Sequence, residues 1–463
     1  MDEDMAFDGP GPSGLQPAFE VQQQQAPPQG DPTRKQLDLV FIQDCTGSQG
    51  SYISSATRNI ESICAHIFES GKLQSPEDLR VGLVAFRDHP PQDHTYITKN
   101  FGFSSDISQV HKDLSTLYAS GGGDGPEAVT AALAEALNME WREYASKMIV
   151  LIADAPPHGI GEYGDGFDEG SPDGHDPLQL ARQMASRGIT LFFVACEPAL
   201  SGYSYATDFY QALTGITSGL MLPLTTADLL THAIVGSVLE NLDMERLVRE
   251  VGHAVAQRIL GNNESVDDVA RELHEKLLLR NESTKKVVIE SIYKESEEAK
   301  HNVAVFSQAP SLAEARPLLK RVRIDSNFIS RHSSFPRHSL SRHGSSYGGY
   351  GSLPPRSPPA SKMNPKTPPA SPPRKVVSDF AAFGAPKSAS VFGTAVATTP
   401  FSLAGGRAAF GGMRPGAARS IIDDDDDDDD DNGRQKIGLR EDAISLDQAK
   451  RITMQSAWRS MRA

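Results

Sequence analysis

An almost wholly apolar run, LDLVFIQ at residues 37–43, stops at Asp44, and Thr46 and Ser48 follow at alternate positions. A strand with so little polar alternation must be covered on both faces, which restricts the chain to a layered α/β arrangement with a parallel sheet. Side chains two residues apart on extended backbone share one side, so Asp44, Thr46 and Ser48 can aim three oxygens at one point. Carboxylate and hydroxyl oxygens suit a hard divalent cation: Mg2+, or alternatively Mn2+ or Ca2+.

The following 190 or so residues repeat the strand–helix alternation. Ile53, Ala56, Ile60, Ile63 and Ile67 have helical spacing. RVGLVAFRD (80–88) reads as a second strand and TYITKNF as a short third. A helix is expected from about Asp106 to Tyr118, and the loop GGGDGPE leads into another. MIVLIAD (148–154) is a further apolar run ending in an acid, and the helix LQLARQMASRG, the strand ITLFFVACE and a short GLMLPL complete the series. This pattern predicts a doubly wound, mainly parallel open sheet of Rossmann-like type. Ligands of such sheets sit beyond the carboxyl ends of the strands, which is where Asp44 and Asp154 fall.

The flanks differ. Residues 1–34 are low in apolar content and are expected to be disordered, with the α/β domain at 35–240. A helical appendage is expected over 241–324, with helices near Ser265–Leu277, over Lys285–Lys300, and after a capping box at Ser311 and Glu314. Residues 325–438 are first basic and Ser/Pro/Gly-rich and then carry the Asp423–Asp431 run, and are expected to be disordered. Residues 439–463 read as an isolated helix with Ser445 and Gln448 as its capping box.

The net charge is −15, of which the Asp run supplies nine, so the composition gives no support to nucleic-acid binding. Three cysteines without framework spacing, an acidic N-terminus and the lack of an 18-residue apolar run lead to the expectation of a cytoplasmic chain without a membrane span.

Asp44-Cys45-Thr46-Gly47-Ser48, the Gly-rich loop and Asp154 together resemble a von Willebrand factor type A domain with its metal-ion-dependent adhesion site. FRDHPPQDHTY, GGGDGPEAV, LIADAPPHG, FDEGSPDGHDP and VACEP are similar to the A domains attached to alpha-type protein kinases, although the residues after the domain do not read as a kinase. The resemblance implies that Thr46 and Ser48 bind the ion through their hydroxyls, and that Asp44 and Asp154 act directly or through water. It also implies that an acidic group of a protein partner completes the metal shell. Where the family usually has Thr on the second loop, this chain has Asp124. That carboxylate either joins the ion or turns away and leaves a water in its place.

Other features weigh less. Arg87, Asp88, His89, Asp93, His94 and His158 have no zinc-ligand spacing and read as loop-ordering groups. Asp165, Asp168, Asp173 and Asp176 match a calcium loop in composition only. Ser357, Thr367 and Ser371, each followed by Pro, are candidate phosphorylation sites. The expected function is a non-enzymatic, cation-dependent protein-binding scaffold. The alternatives are a non-catalytic associate of alpha-type kinase signalling, or a metal-dependent hydrolase with His158 as its base.

Overall fold

The computed structural model describes residues 34–290, 292–321, 435 and 437–461. The first strand, β1 (Leu37–Asp44), is buried along its whole length. Leu39 and Phe41 enter one core and Val40 and Ile42 the other, which explains why the strand carries so few polar residues. It pairs in parallel with β2 (Leu79–Phe86) on one side and with β4 (Ser146–Ala153) on the other. β3 (Thr98–Ser104) pairs antiparallel with β2 as the edge strand. β5 (Ile189–Cys196) and the short β6 (Met221–Leu224) continue the sheet beyond β4. The order is β3-β2-β1-β4-β5-β6, so the direction of winding reverses between β1 and β4. The expected doubly wound sheet is therefore present.

One face of the sheet is covered by α1 (Gly50–Glu69), α2 (Ile107–Ser115) and the first turns of α6 (Leu230–Ala256). The other is covered by α3 (Val129–Leu137), α4 (Pro177–Ser186) and α5 (Ala206–Ile216), with Phe306 of α8 (Glu297–Gln308) added from further along the chain. None of the helices in the described residues is long and apolar enough to cross a membrane.

Two expectations for the flanking region need correction. The segment read as a helix from Lys285 forms β7 (Ser283–Ile289), and helix begins only at Glu297, where the Ser296 hydroxyl accepts from the Ala299 amide. STKKVVI is rich in β-branched residues, and its pairing partner is distant. β8 (Ile437–Ala443) lies antiparallel to it, with Ser283 opposite Ala443. The C-terminal helix α10 (Leu446–Ser460) is also not isolated. Its capping box forms as expected at Ser445 and Gln448, but its buried face packs on α6 and α7 (Val266–Leu279) around Met244, Leu247, Val269, Leu273 and Ile452.

Polar contacts fix α10 in register. Arg451 Nη1 lies 2.5 Å from Glu240 Oε1, Arg459 Nη2 2.6 Å from Glu245 Oε2, and Gln455 Nε2 donates to Thr190 Oγ1 at 2.6 Å. α6 runs unbroken through residue 240, from the α/β sheet into the region expected as the helical appendage. The basic segment, the Asp run and the Ser357, Thr367 and Ser371 sites lie outside the described residues.

Candidate metal centre

The register between β1 and β4 sets Gln43 opposite Ile152, so Asp44 and Asp154 leave the sheet side by side at the point where the winding reverses. Beyond Asp44 the chain makes a turn of 3-10 helix (Gly47–Gln49) and enters α1. The loop is tied down by its backbone. Cys45 N donates to Phe86 O at 2.9 Å, Ser120 N to Cys45 O at 3.0 Å and Gly47 N to Gly121 O at 3.2 Å. The second loop is tied to the third in turn, because Glu127 N donates to Pro156 O at 2.9 Å. Three loops are thereby held together above three adjacent strands.

Within this frame the Thr46 amide and hydroxyl both donate to Asp44 Oδ1, at 2.8 and 2.7 Å. Asp44 Oδ2 is buried with no hydrogen-bond partner among the described residues. Burial and the neighbouring Asp154 push the Asp44 carboxyl up to about 8. Burial likewise raises Asp154, against the pull of Ser48 and Gln49 beside it. Ser48 is exposed, and its side chain hydrogen-bonds Asp154.

Asp124 is placed differently. Its Oδ2 accepts from Gln92 Nε2 at 3.2 Å and from the Gly166 amide, and its ligand atoms fall within 4.8 Å of those of Asp88 and His158. His158 Nε2 lies 2.7 Å from Asp88 Oδ1, and Nδ1 2.7 Å from Asp165 Oδ1. Burial opposes charge on His158, but Asp165 and Asp88 overcome it and raise the imidazole to about 9. The ring is thus protonated at neutral pH, with both nitrogens occupied. Arg87 is fully buried nearby, donating to Thr95 Oγ1 and Tyr118 O and stacked against the rings of Tyr96 and Tyr118. These groups do order the loops.

Glu127 was not among the residues singled out from the sequence. It is buried, and the charges of Asp44, Asp88, Asp124 and Asp154 all bear on its carboxylate. Burial, followed by those charges, pushes it up to about 11. The signal was in the string GGGDGPE, whose second acid follows the first by three residues.

The acid-and-hydroxyl loop lies at the reversal point of a doubly wound α/β sheet, the place where such folds bind their ligands. The von Willebrand factor type A domain model matches residues 38–219, and that segment is such a domain. An alpha-protein kinase, vwkA of Dictyostelium discoideum, is 33% identical over 161 residues, which make up 34% of this chain and 25% of the kinase. A putative ariadne-like RING finger protein, R811 of Acanthamoeba polyphaga mimivirus, is 28% identical over 208 residues, 43% of this chain and 19% of that protein. The chain thus spans a quarter or less of either relative. Among solved structures, the pilus adhesin SpaC of Lactobacillus rhamnosus GG in its open conformation matches with a TM-score of 0.35 at 14% identity, over 47% of this chain and 31% of the adhesin.

Proposed function

We propose that this domain binds a protein ligand through one divalent cation, Mg2+ or Mn2+, held by Asp44, Thr46, Ser48 and Asp154. An acidic side chain of the partner completes the shell.

One contrast along β1 carries this reading. Asp38 and Asp44 are both fully buried. Asp38 receives Arg80 Nη2 at 2.7 Å and Arg142 Nε at 2.8 Å, so its charge is matched by two guanidinium groups. Asp44 has no basic partner among the described residues, and its nearest charged neighbour is another acid. A buried carboxylate without a cation is expensive, and a dication at the free Oδ2 would supply the missing charge. The donor set also fits, with two hydroxyls and two carboxylates from adjacent loops.

The hydrolase alternative is weaker, because His158 holds Asp88 and Asp165 with its two nitrogens and is already charged at neutral pH. It offers no free base. The name of the Dictyostelium relative motivates a role beside alpha-type kinases, which remains a proposal about a partner.

Calorimetric titration of the full chain with MgCl2 and MnCl2 tests the metal reading. Saturable binding that is lost in Asp44→Asn and Ser48→Ala supports it. Equal binding by wild type and both variants would sink it. A pull-down with and without EDTA then identifies proteins whose capture needs both the ion and Asp44.

A further inference from the structure

The C-terminal strand and helix join the fold from far along the chain. Residues 322–434 lie between Arg321 and Gln435, where the described residues resume. At about 3.3 Å per residue that connection can reach on the order of 370 Å, so connectivity alone does not decide which copy of the chain receives the segment. The receiving groove is built by the rest of the fold. One edge of β7 is closed, because the Lys285 and Val287 amides donate to Asp243 Oδ2 and Glu240 Oε2 of α6, both at 2.9 Å. The other edge is open to a single added strand, and β8 fills it over its whole length, from Ser283 opposite Ala443 to Ile289 opposite Ile437.

The helix seated in this groove is bonded more like a separable partner than like a core element. The buried face of α10 carries Gln448, Arg451, Thr453, Gln455 and Ser456. Its anchors are polar as well. Arg451 and Arg459 meet Glu240 and Glu245, and Gln448 Oε1 accepts from Thr284 Oγ1 at 2.9 Å. Arg451 Nη2, Gln455 Oε1 and Arg459 Nε are buried without a partner among the described residues. Water would satisfy these three atoms, so undocking recovers hydrogen bonds that docking gives up.

We propose that the groove of α6, α7 and β7 is an interaction surface between copies of this chain, in which β8 and α10 of one copy replace those of another. The partner chemistry is specific: an extended strand, then a polar-faced helix that aims two arginines at Glu240 and Glu245. The contacts are the same in both arrangements, so concentration sets the balance. The segment docks on its own chain when chains are dilute, and across copies where they are gathered. The inference does not rest on the proposed metal function. Gln455 meets Thr190 at the amino end of β5, the edge of the sheet opposite to Asp44 and Asp154.

A disulfide trap on the full chain tests the exchange. A Cβ at Gly252 of α6 would stand 3.7 Å from Ser456 Cβ of α10, within disulfide reach. The native cysteines Cys45, Cys64 and Cys196 are all buried. A chain with both Gly252→Cys and Ser456→Cys should close on itself when oxidised at low concentration. Mixing a Gly252→Cys chain with a Ser456→Cys chain reads docking across copies alone. The expected result is a covalent pair on a non-reducing gel, about tenfold more abundant than when Ser54→Cys, at an exposed position of α1, replaces Gly252→Cys. Closure of the double variant with no pair above the Ser54→Cys level overturns the proposal. Failure of the double variant to close in any form also overturns it, because α10 would then not lie on α6. Wild type gives a check without substitutions. Light scattering should show a dimer that grows with concentration, and a strict monomer throughout would refute the exchange.

Discussion

Thr46 meets Asp44 twice, with its amide and its hydroxyl both donating to the same carboxylate oxygen, Oδ1. The hydroxyl proton is thereby committed, and the lone pairs of Thr46 Oγ1 are left for an ion, while Asp44 Oδ2 is left bare. One residue thus fixes the acid and offers a ligand. Thr46→Ser keeps both functions and is expected to bind Mg2+ nearly as wild type. Thr46→Val keeps the shape but removes the hydroxyl. A contact to a charged group is worth roughly 1.5–3 kcal/mol, so affinity should fall by about ten- to hundredfold. Calorimetry on the two variants checks this, and equal affinities would remove Thr46 from the metal shell.

The pH dependence of stability without metal follows from the buried acids. Asp44 is raised to about 8 and Glu127 to about 11, so the folded chain holds protons there that the unfolded chain has already lost. His158, raised to about 9 from an ordinary 6.5, also holds its proton to higher pH when folded. In each case the native state binds more protons, so stability falls as pH rises. Asp44 contributes between its ordinary value near 3.8 and about 8, and His158 between 6.5 and about 9. Urea midpoints in EDTA should therefore decline from pH 5 to pH 8.5. With saturating Mg2+ the decline should flatten, because the ion replaces the proton at Asp44. Parallel curves with and without the ion would contradict this.

How much of this was legible in the sequence depended on distance along the chain. β1 and its acid-hydroxyl loop are local. The apolar run, the terminal Asp and the two hydroxyls lie within twelve residues of one another, and periodicity reads such a segment well. Asp154 was found because a second apolar run ended in an acid and the fold rule joined the two. KKVVI was misread because two lysines followed by three apolar residues fit a helical face or a strand equally. The choice was made by β8, whose residues enter more than a hundred positions later. The same separation hid the docking of α10, whose buried face carries Gln448, Arg451, Thr453, Gln455 and Ser456 and therefore looks solvent-exposed in sequence. Glu127 escaped for a third reason, and Asp88 was read only as a loop-ordering group. Their meeting is a product of three loops folding together, and no spacing within one loop encodes it.

Gly122 tests how tightly the second loop is built. Its φ is +85°, and a Cβ there would lie 2.6 Å from Glu127 Oε1 and 3.5 Å from Thr46 Cβ. Gly102 has a similar φ of +74° but open space around it. Both alanine variants pay the left-handed cost, about 1–2 kcal/mol, and only Gly122→Ala also displaces the glutamate. Thermal melts should show similar losses of backbone origin, with an additional loss for Gly122→Ala. Manganese affinity should drop in Gly122→Ala and stay unchanged in Gly102→Ala.

The C-terminal segment makes its own prediction through Glu240 and Arg451, whose side chains are both buried and 2.5 Å apart. Arg451 Nε also donates to Ser218 O at 2.8 Å, and Glu240 Oε2 accepts from the Val287 amide at 2.9 Å. The pair therefore joins α10, α6 and β7. Removing one charge leaves the other buried and alone, so Arg451→Met should destabilise the chain by about 3–5 kcal/mol. Glu240→Gln keeps an acceptor for the Val287 amide and strips the charge. The double variant should therefore recover a large part of the loss, which gives a coupling energy well above the roughly 0.5 kcal/mol of additive error between independent sites. Urea denaturation of the four proteins of this cycle measures it. Additive losses would mean that α10 is held by its apolar contacts alone and that its buried arginine contributes only register.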